Sequence, residues 1–208
     1  GKQRYRVSSI EPNLLSDEII RFIAKSDKFL PHFHIPLQSG SNIILKSMQR
    51  RYSKDLFYNR INNIKKMMPD ACIGIDVIVG FPGENEDYFQ ETYDFINELD
   101  ISYLHVFSYS ERDDTKSVIL YPKVENHEIM ERSKILHVLS KEKKDKFYAQ
   151  NHGSIRNILI ENYNDGFLSG FSGNYIKVKT KGKVDAVNTF VSLQLNYSSD
   201  GIMIGERI

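Results

Sequence analysis

Residues 72–84 read CIGIDVIVGFPGE, an almost unbroken apolar run that ends in a turn rich in glycine and proline. A continuous apolar run is typical of a parallel strand that is covered on both faces. Acidic residues at 84–87 follow at once, and they favour the start of a helix because carboxylates complement the positive end of the helix dipole. We therefore predict a strand over 72–79, a loop over 80–83 and a helix that ends near Leu99.

The same order of strand, loop and helix recurs on both sides of this unit. Apolar runs predict further strands at 4–10, 32–37 and 102–108. Helical patterns predict the intervening helices at 16–24, 41–49 and 53–68. Such units favour parallel strands joined by right-handed crossovers, so we predict an α/β fold for residues 1–122, as part of a TIM-type barrel or as an open sheet.

The sequence after residue 122 has a different pattern of predicted helices and strands. Residues 123–150 form one long, charged helical pattern with a narrow apolar stripe, which predicts a connecting helix. Turn signals then separate short β-rich runs at 156–161, 167–171, 175–180, 184–195 and 202–204. About five strands in so short a stretch predict a small antiparallel β-barrel over residues 151–208.

The composition excludes several classes of protein. The 208 residues include 28 Lys and Arg and 27 Asp and Glu, so the net charge of +1 neither selects nor excludes nucleic acid. The single cysteine, Cys72, excludes a disulfide framework and any zinc or iron–sulfur site that needs several thiolates from this chain. No apolar run approaches the ~18 residues of a membrane span. We expect a cytoplasmic protein that does not bind membranes.

Polar loops follow each predicted parallel strand, at 8–11, 38–41, 80–84 and 109–112. In α/β barrels the loops at the carboxyl ends of the strands form the working face. Their hydroxyl, amide and glycine groups suit a polar small molecule, although no nucleophile–base pair is evident. The alternative is that Ser, Gly and Pro only turn the chain there.

Histidine and aspartate on the predicted strands leave further alternatives open. His32 and His34 alternate on one strand, yet both lie away from its carboxyl end, so we predict structural histidines and keep a metal-dependent hydrolase as the alternative. Asp76 interrupts an apolar strand, where a carboxylate is costly unless it is paired. Two partners for the Asp76 carboxylate are therefore open, namely the guanidinium of Arg4 or Arg6 in a structural ion pair, or a bound ligand.

The turn at residues 80–84 does not fit a phosphate-binding loop. It lacks the Gly-Lys-Ser/Thr ending of such loops, and Glu84 would repel phosphate. Cys72, at the start of its apolar strand, is expected to be a buried thiol.

Four lysines occupy alternate positions near the end of the chain, namely Lys177, Lys179, Lys181 and Lys183. We expect the last two to lie in a hairpin turn. With Arg156 and Tyr175 as neighbours, the group favours a surface for RNA phosphates and stacked bases. The alternative is an edge strand that lysines protect from aggregation.

Several long motifs, in order along the chain, resemble the radical S-adenosylmethionine methylthiotransferase family. They are RYRVSSIEP at 4–12, HFHIPLQSGS at 32–41, MQRRY at 48–52, GIDVIVGFPGE at 74–84 and YSER at 109–112. The SSIEP and RRY details favour the branch that acts on threonylcarbamoyladenosine 37 of transfer RNA. Sister branches act on isopentenyladenosine 37 or on a ribosomal protein. Residues 151–208 resemble the OB-like TRAM domain, an RNA-binding β-barrel.

The resemblance implies an enzyme that uses S-adenosylmethionine and two [4Fe-4S] clusters to add a methylthio group at carbon 2 of the adenine, in the anticodon stem-loop. The family's cluster cysteines are missing, so the chain resembles the carboxyl-terminal part of the enzyme. We expect the isolated part to be inactive and to hold neither a catalytic residue nor a metal ligand. A non-catalytic RNA-binding module on the same scaffold is the alternative from a different class.

The resemblance also implies roles for individual residues. The cofactor pocket would include Ser8, Ser9, Gln38, Ser39, Asp76, Ile78, Gly80, Phe81 and Gly83. The rim next to the substrate would carry Glu11, Tyr109 and Arg112. The RNA surface would carry Arg156, Tyr175, Lys177, Lys179, Lys181 and Lys183.

Overall fold

Parallel pairing of neighbouring strands builds the first part of the chain in the computed structural model, which describes residues 3–111, 115–197 and 201–208. The strands lie in the order β1-β2-β3-β4, with bounds Tyr5–Val7, Phe29–Gln38, Cys72–Val79 and Tyr103–Ser108. The helices between them are α1 Asp17–Lys25, α2 Asn42–Ser47, α3 Lys54–Met67 and α4 Glu86–Glu98. The predicted parallel α/β fold is confirmed, as an open sheet.

Local sequence explains where the helices begin. The Ile19 N–H donates to the Ser16 hydroxyl over 3.3 Å, so Ser16 caps α1 as its sequence position predicts. The Asn85 side chain accepts the Tyr88 N–H at 2.9 Å and caps α4. Both helices carry two acidic residues in their first turns, where the helix dipole favours negative charge.

The two faces of the sheet have different chemistry. Alternate residues from Phe33 to Leu37 in β2 and from Ile73 to Val79 in β3 are buried in one core with the helices. Strand alternation places the residues between them on the opposite face. His34 and Asp76 therefore lie on a face that the helices do not cover.

A single long helix, α5 (Asn126–Gln150), follows the sheet. Its apolar stripe is buried as predicted, but it contributes to two cores. Leu136 and Leu139 pack with the sheet, whereas Phe147 and Tyr148 pack with the strands that follow. Among the described residues, no helix combines the length and the apolar character that crossing a membrane requires.

The chain ends in a small barrel, closed in the order β5-β6-β7-β9-β8. Its strands are β5 Ile155–Asn164, β6 Phe167–Ser172, β7 Lys177–Lys181, β8 Phe190–Asn196 and β9 Met203–Arg207. The barrel is confirmed, but it is not wholly antiparallel, because β7 and β9 pair in parallel. The run predicted at 184–195 also differs. It begins with a short 3₁₀ helix, Val184–Ala186, and a turn at Asn188 with φ 62° precedes β8.

The small barrel packs against the amino ends of the sheet strands, at a contact that we call the junction. Cys72, the first residue of β3, is buried in the core of the small barrel. Across the junction, Arg156 Nη1 lies 2.6 Å from Asp70 Oδ2, and Asn174 donates to the Asp70 carbonyl over 3.0 Å. The carboxyl ends of the same strands therefore point away from the small barrel.

Candidate functional site

A cavity of about 1020 Å³ opens at the carboxyl ends of the parallel strands, and we call it the strand-end cavity. Its lining includes the ends of three strands, through Gln38, Asp76, Ile78, Phe107 and Ser108. Loops supply the rest, through Ser47, Met48, Gln49, Arg50, Phe81, Tyr109, Ser110, Thr115, Ser117, Ile119 and Leu120. The sequence expectation of a site at this edge therefore corresponds to a real cavity.

The walls of the strand-end cavity differ in polarity. Ile78, Phe81 and Leu120 provide an apolar wall, while Gln38 and Asp76 provide hydrogen-bonding groups from neighbouring strands. Phe81 packs edge-to-face on Tyr109, with ring centroids 5.4 Å apart. Such a cavity suits a ligand with one flat apolar part and several polar groups.

Glycine at position 80 allows the chain to turn so that Phe81 reaches the cavity. Gly80 has φ 81°, and a Cβ there would approach Ile129 Cγ1 to 2.4 Å. The turn is held from behind by Glu84, whose Oε1 accepts the Gly80 N–H at 2.8 Å and Arg132 Nη1 at 3.1 Å. Burial raises the pKa of the Glu84 carboxyl, although these two donors oppose the shift. Glu84 thus supports the loop and is only 4 % exposed, so it does not face a ligand.

Asp76 finds a partner that the sequence did not predict. Its Oδ1 lies 2.8 Å from His34 Nε2, so the structural partner is a histidine and not Arg4 or Arg6, the partners that the sequence left open. The Arg4 guanidinium lies 4.5 Å from the centre of the Phe190 ring, and the Arg6 guanidinium lies 5.1 Å from that of Tyr175. Within the described residues, no group of three or more His, Cys, Asp or Glu side chains could hold a metal ion.

The other residues expected in the cofactor pocket do not line the strand-end cavity. Ser39 is fully buried, and its hydroxyl accepts the Ser41 N–H and bonds Thr92. Gly83 donates its N–H to the Pro122 carbonyl over 2.8 Å, with φ 89°. Ser8 and Ser9 are exposed outside the lining, and Gly80 lines a smaller adjoining pocket.

The expected substrate rim is described only in part. Tyr109 lines the strand-end cavity, and its buried hydroxyl has no hydrogen-bond partner in the part of the chain that the structure describes. Glu11 Oε1 lies 3.0 Å from Arg50 Nη1. Arg112 lies outside the described residues. Sequence reasoning missed Arg50 as a lining residue, although the MQRRY motif contains it.

Three of the predicted RNA-binding lysines share one exposed face of β7, which we call the lysine face. It consists of Lys177, Lys179 and Lys181, paired with Phe171, Ser169 and Phe167 of β6. The expected turn at Lys181 is wrong, because β7 includes it, whereas Lys183 lies beyond the strand. β7 has partners on both sides in a closed barrel, so its lysines do not protect an edge.

The two remaining candidates for RNA binding lie at the junction. Arg156 contacts Asp70 and also donates to Asn151 Oδ1 over 3.2 Å. The Tyr175 ring stacks between His32 and Phe171, with centroid distances of 4.3 and 4.9 Å. Both side chains thus hold the small barrel against the sheet.

Comparisons with known proteins agree with this geometry. The profile of the radical SAM superfamily matches residues 2–96. The threonylcarbamoyladenosine tRNA methylthiotransferase MtaB of Bacillus subtilis is 38 % identical over 94 % of this chain and 44 % of its own length. The enzyme of the same name from Aquifex aeolicus is 40 % identical, over 88 % of this chain and 43 % of that protein.

More distant relatives complete the comparison. The tRNA-2-methylthio-N(6)-dimethylallyladenosine synthase of Bacillus pumilus is 31 % identical over 99 % of this chain and 42 % of its own length. Coproporphyrinogen III oxidase (HemN) of Escherichia coli, a radical SAM enzyme, shares the fold with a TM-score of 0.54 and 14 % identity, over 66 % of this chain and 32 % of that one. The chain thus spans less than half the length of these curated relatives.

Proposed function

We propose that the chain is the carboxyl-terminal part of a radical S-adenosylmethionine tRNA methylthiotransferase, because the superfamily profile matches residues 2–96 and the chain is related along nearly its whole length to tRNA methylthiotransferases. The proposed reaction adds a methylthio group at carbon 2 of N6-threonylcarbamoyladenosine 37, in the anticodon stem-loop of tRNA. Relatives named for this nucleoside are 38 % and 40 % identical to the chain, against 31 % for one named for dimethylallyladenosine. A cytoplasmic location belongs to the proposal, since the substrate is tRNA.

The strand-end cavity is the observation that carries this proposal. S-adenosylmethionine has a flat adenine, ribose hydroxyls and a charged amino-acid end, and the cavity combines an apolar wall with Gln38 and Asp76. We propose that Ile78 and Phe81 contact the adenine, while Gln38 and Asp76 bind polar groups. The bound cofactor would supply the reactivity, and these side chains would orient it and exclude water.

The iron–sulfur clusters of the superfamily do not fit this chain. Cys72 is its single cysteine, and it lies at the junction, at the opposite end of β3 from the strand-end cavity. Burial raises the pKa of its thiol to about 12, so it stays protonated, whereas a thiolate is the form that binds metal. We propose that both clusters are held by the part of the enzyme that these 208 residues do not include, and that this chain is inactive alone.

The small barrel is proposed to act as a TRAM-type RNA-binding domain. The lysine face offers three cations, and Lys179 Nζ lies 4.2 Å from the centre of the Phe167 ring. Phosphate contacts from lysine combined with an exposed aromatic ring suit the RNA backbone and a stacked base. Lys183 is exposed beside this face. Arg156 and Tyr175 have contacts at the junction instead.

The experiment that tests the proposed function is disruption of the gene, followed by mass spectrometry of tRNA nucleosides. We expect the 2-methylthio form of N6-threonylcarbamoyladenosine to disappear and the dimethylallyladenosine derivatives to be unchanged. Loss of the dimethylallyladenosine derivative instead would contradict the substrate. A purified chain that binds tRNA, with no nucleoside lost in the disrupted strain, would support the non-catalytic RNA-binding alternative that the lone cysteine favours.

A further inference from the structure

A line of three polar side chains crosses the face of the sheet opposite the helices and ends at the strand-end cavity. The Ser9 hydroxyl lies 3.2 Å from His34 Nδ1, and His34 Nε2 lies 2.8 Å from Asp76 Oδ1. Ser9 follows β1 in the chain, and His34 and Asp76 lie on the neighbouring strands β2 and β3. We call these three residues the Ser9–His34–Asp76 line.

Hydrogen-bonding chemistry sets the direction of this line. An ionised carboxylate only accepts hydrogen bonds, so the proton between His34 and Asp76 belongs to His34 Nε2. In the neutral ring Nδ1 is then an acceptor, and the Ser9 hydroxyl donates to it. Each side chain thereby fixes the orientation of the next, and the last is the carboxylate in the cavity wall.

Only one oxygen of Asp76 is used by this line. Among the described contacts Oδ1 accepts from His34, and none of them gives Oδ2 a partner. The side chain is 17 % exposed, and Asp76 is part of the cavity lining. A carboxylate that is held by one oxygen, and shielded from bulk water, presents the other oxygen to a ligand in a fixed direction.

The backbone conformation of Ser9 is a second observation that points to a functional role for the Ser9–His34–Asp76 line. Ser9 has φ 53°, a conformation that residues with a side chain rarely adopt. Glycine would adopt it more easily, yet the hydroxyl of serine is the group that meets the His34 ring. Strained backbone of this kind is concentrated at functional sites.

We propose that His34 is a positioning residue, which holds Asp76 so that its free oxygen accepts a hydrogen bond from a hydroxyl or ammonium group of the bound nucleoside cofactor. This inference rests on the proposed function, because it takes the ligand of the strand-end cavity to be S-adenosylmethionine. It gives His34 and Ser9 roles although neither lines the cavity.

The test is equilibrium binding of two probes to the full 208-residue chain. S-adenosylhomocysteine carries both the ribose hydroxyls and an ammonium group, whereas methylthioadenosine carries only the hydroxyls. His34→Leu removes the donor to Asp76, and His34→Gln keeps an N–H donor within reach of it. His105→Leu is the matched control, because the His105 ring packs 5.4 Å from that of His34 and is exposed on the same face.

We expect His34→Leu to weaken binding of S-adenosylhomocysteine about tenfold, since a hydrogen bond to a charged group is lost. His34→Gln and His105→Leu should bind within about threefold of the wild type. Weaker binding of methylthioadenosine as well assigns the free oxygen to a ribose hydroxyl, and weaker binding of S-adenosylhomocysteine alone assigns it to the ammonium. A merely structural role of His34 would not produce rescue by glutamine.

Two outcomes would overturn the inference, and only the second would also overturn the proposed function. If His34→Leu binds both probes as tightly as the wild type, the positioning role is wrong while the cavity keeps its proposed ligand. If the wild type binds neither probe, the proposed function fails together with the inference.

Should His34→Leu not fold, Ser9→Ala at the exposed end replaces it. In that variant weaker binding, together with a changed ¹⁵N resonance of His34 Nδ1, is the expected result, and unchanged affinity contradicts the proposal.

Discussion

Burial decides the chemistry of the one cysteine. The Cys72 thiol lies among apolar side chains of the small barrel, and burial raises its pKa to about 12. The Ser102 hydroxyl and the charges of Lys65 and Arg6 only partly oppose this shift. The sequence predicted a buried thiol from the apolar strand around it, and burial is confirmed. It could not predict that the burying surface belongs to the small barrel, because that contact joins residues far apart in the chain.

Anaerobic reconstitution of the purified chain with iron and sulfide tests this conclusion. We expect no stable cluster, because one protonated thiol cannot replace the three or four thiolates that such a cluster requires. Iron and acid-labile sulfide should stay far below one cluster per chain after desalting. Cys72→Ser is the control and should retain the same background. Stoichiometric iron that disappears in Cys72→Ser would contradict the prediction.

The second prediction at the residue scale concerns His32. Burial and the nearby Arg6 charge lower its pKa from 6.5 to about 4, so the folded ring stays neutral where the unfolded ring is protonated. The unfolded chain then binds more protons between these values, and stability falls as the pH drops from 6.5 towards 4. A shift of this size corresponds to about 3 kcal/mol.

Urea unfolding at several pH values measures this effect. His32→Phe keeps a ring against Tyr175 but has no titrating group, so its stability should depend less on pH across this window. His137→Phe, at an exposed position on α5, is the control and should show the full dependence of the wild type. Equal slopes in His32→Phe and the wild type would show that another group causes the loss of stability.

At the scale of elements, prediction succeeded where one local pattern decides the structure. The strand over 72–79 has the predicted bounds, because a continuous apolar run flanked by turn residues is specific for a buried strand. The strand predicted over 184–195 begins later in the structure, at Phe190. Val184 and Val187 favour a strand by residue type, but Asn188 turns the chain before β8. Gln38 and Phe81 line the cavity because they end or follow parallel strands, whereas only the family resemblance assigned Asp76 and Ile78 to a cofactor pocket. Residues 115–120 could not be placed, since a loop brings them back over the cavity.

The third prediction concerns tRNA binding by the lysine face of β7. We expect Lys177→Ala, Lys179→Ala and Lys181→Ala each to weaken tRNA binding and to reduce the slope of log affinity against log salt by about one. Fluorescence anisotropy with labelled tRNA at several salt concentrations measures both quantities. Lys25→Ala, on helix α1 of the sheet, is the control. Slopes that stay at the wild-type value in all three variants would remove the lysine face from RNA binding.

At the scale of the whole molecule, the strand-end cavity and the small barrel lie at opposite ends of the same strands. β3 has 8 residues, so its length is about 26 Å at the usual rise of a strand. An RNA that binds the small barrel and delivers a base to the cavity, as proposed, would have to extend from one end of these strands towards the other. The junction then matters, because it fixes the position of the small barrel against the sheet.

The last prediction distinguishes the two roles that Arg156 could have. Its guanidinium contacts Asp70 and Asn151, and both carboxylate and guanidinium are partly exposed. We expect Arg156→Ala to lower the free energy of unfolding by about 1–2 kcal/mol, a value reduced by solvent screening. It should also increase hydrogen exchange at the junction, while the salt dependence of tRNA binding keeps its slope. Lys141→Ala removes an exposed ion pair on α5 and should change none of these quantities. A slope that falls by about one in Arg156→Ala, with unchanged stability, would return Arg156 to the RNA-binding surface.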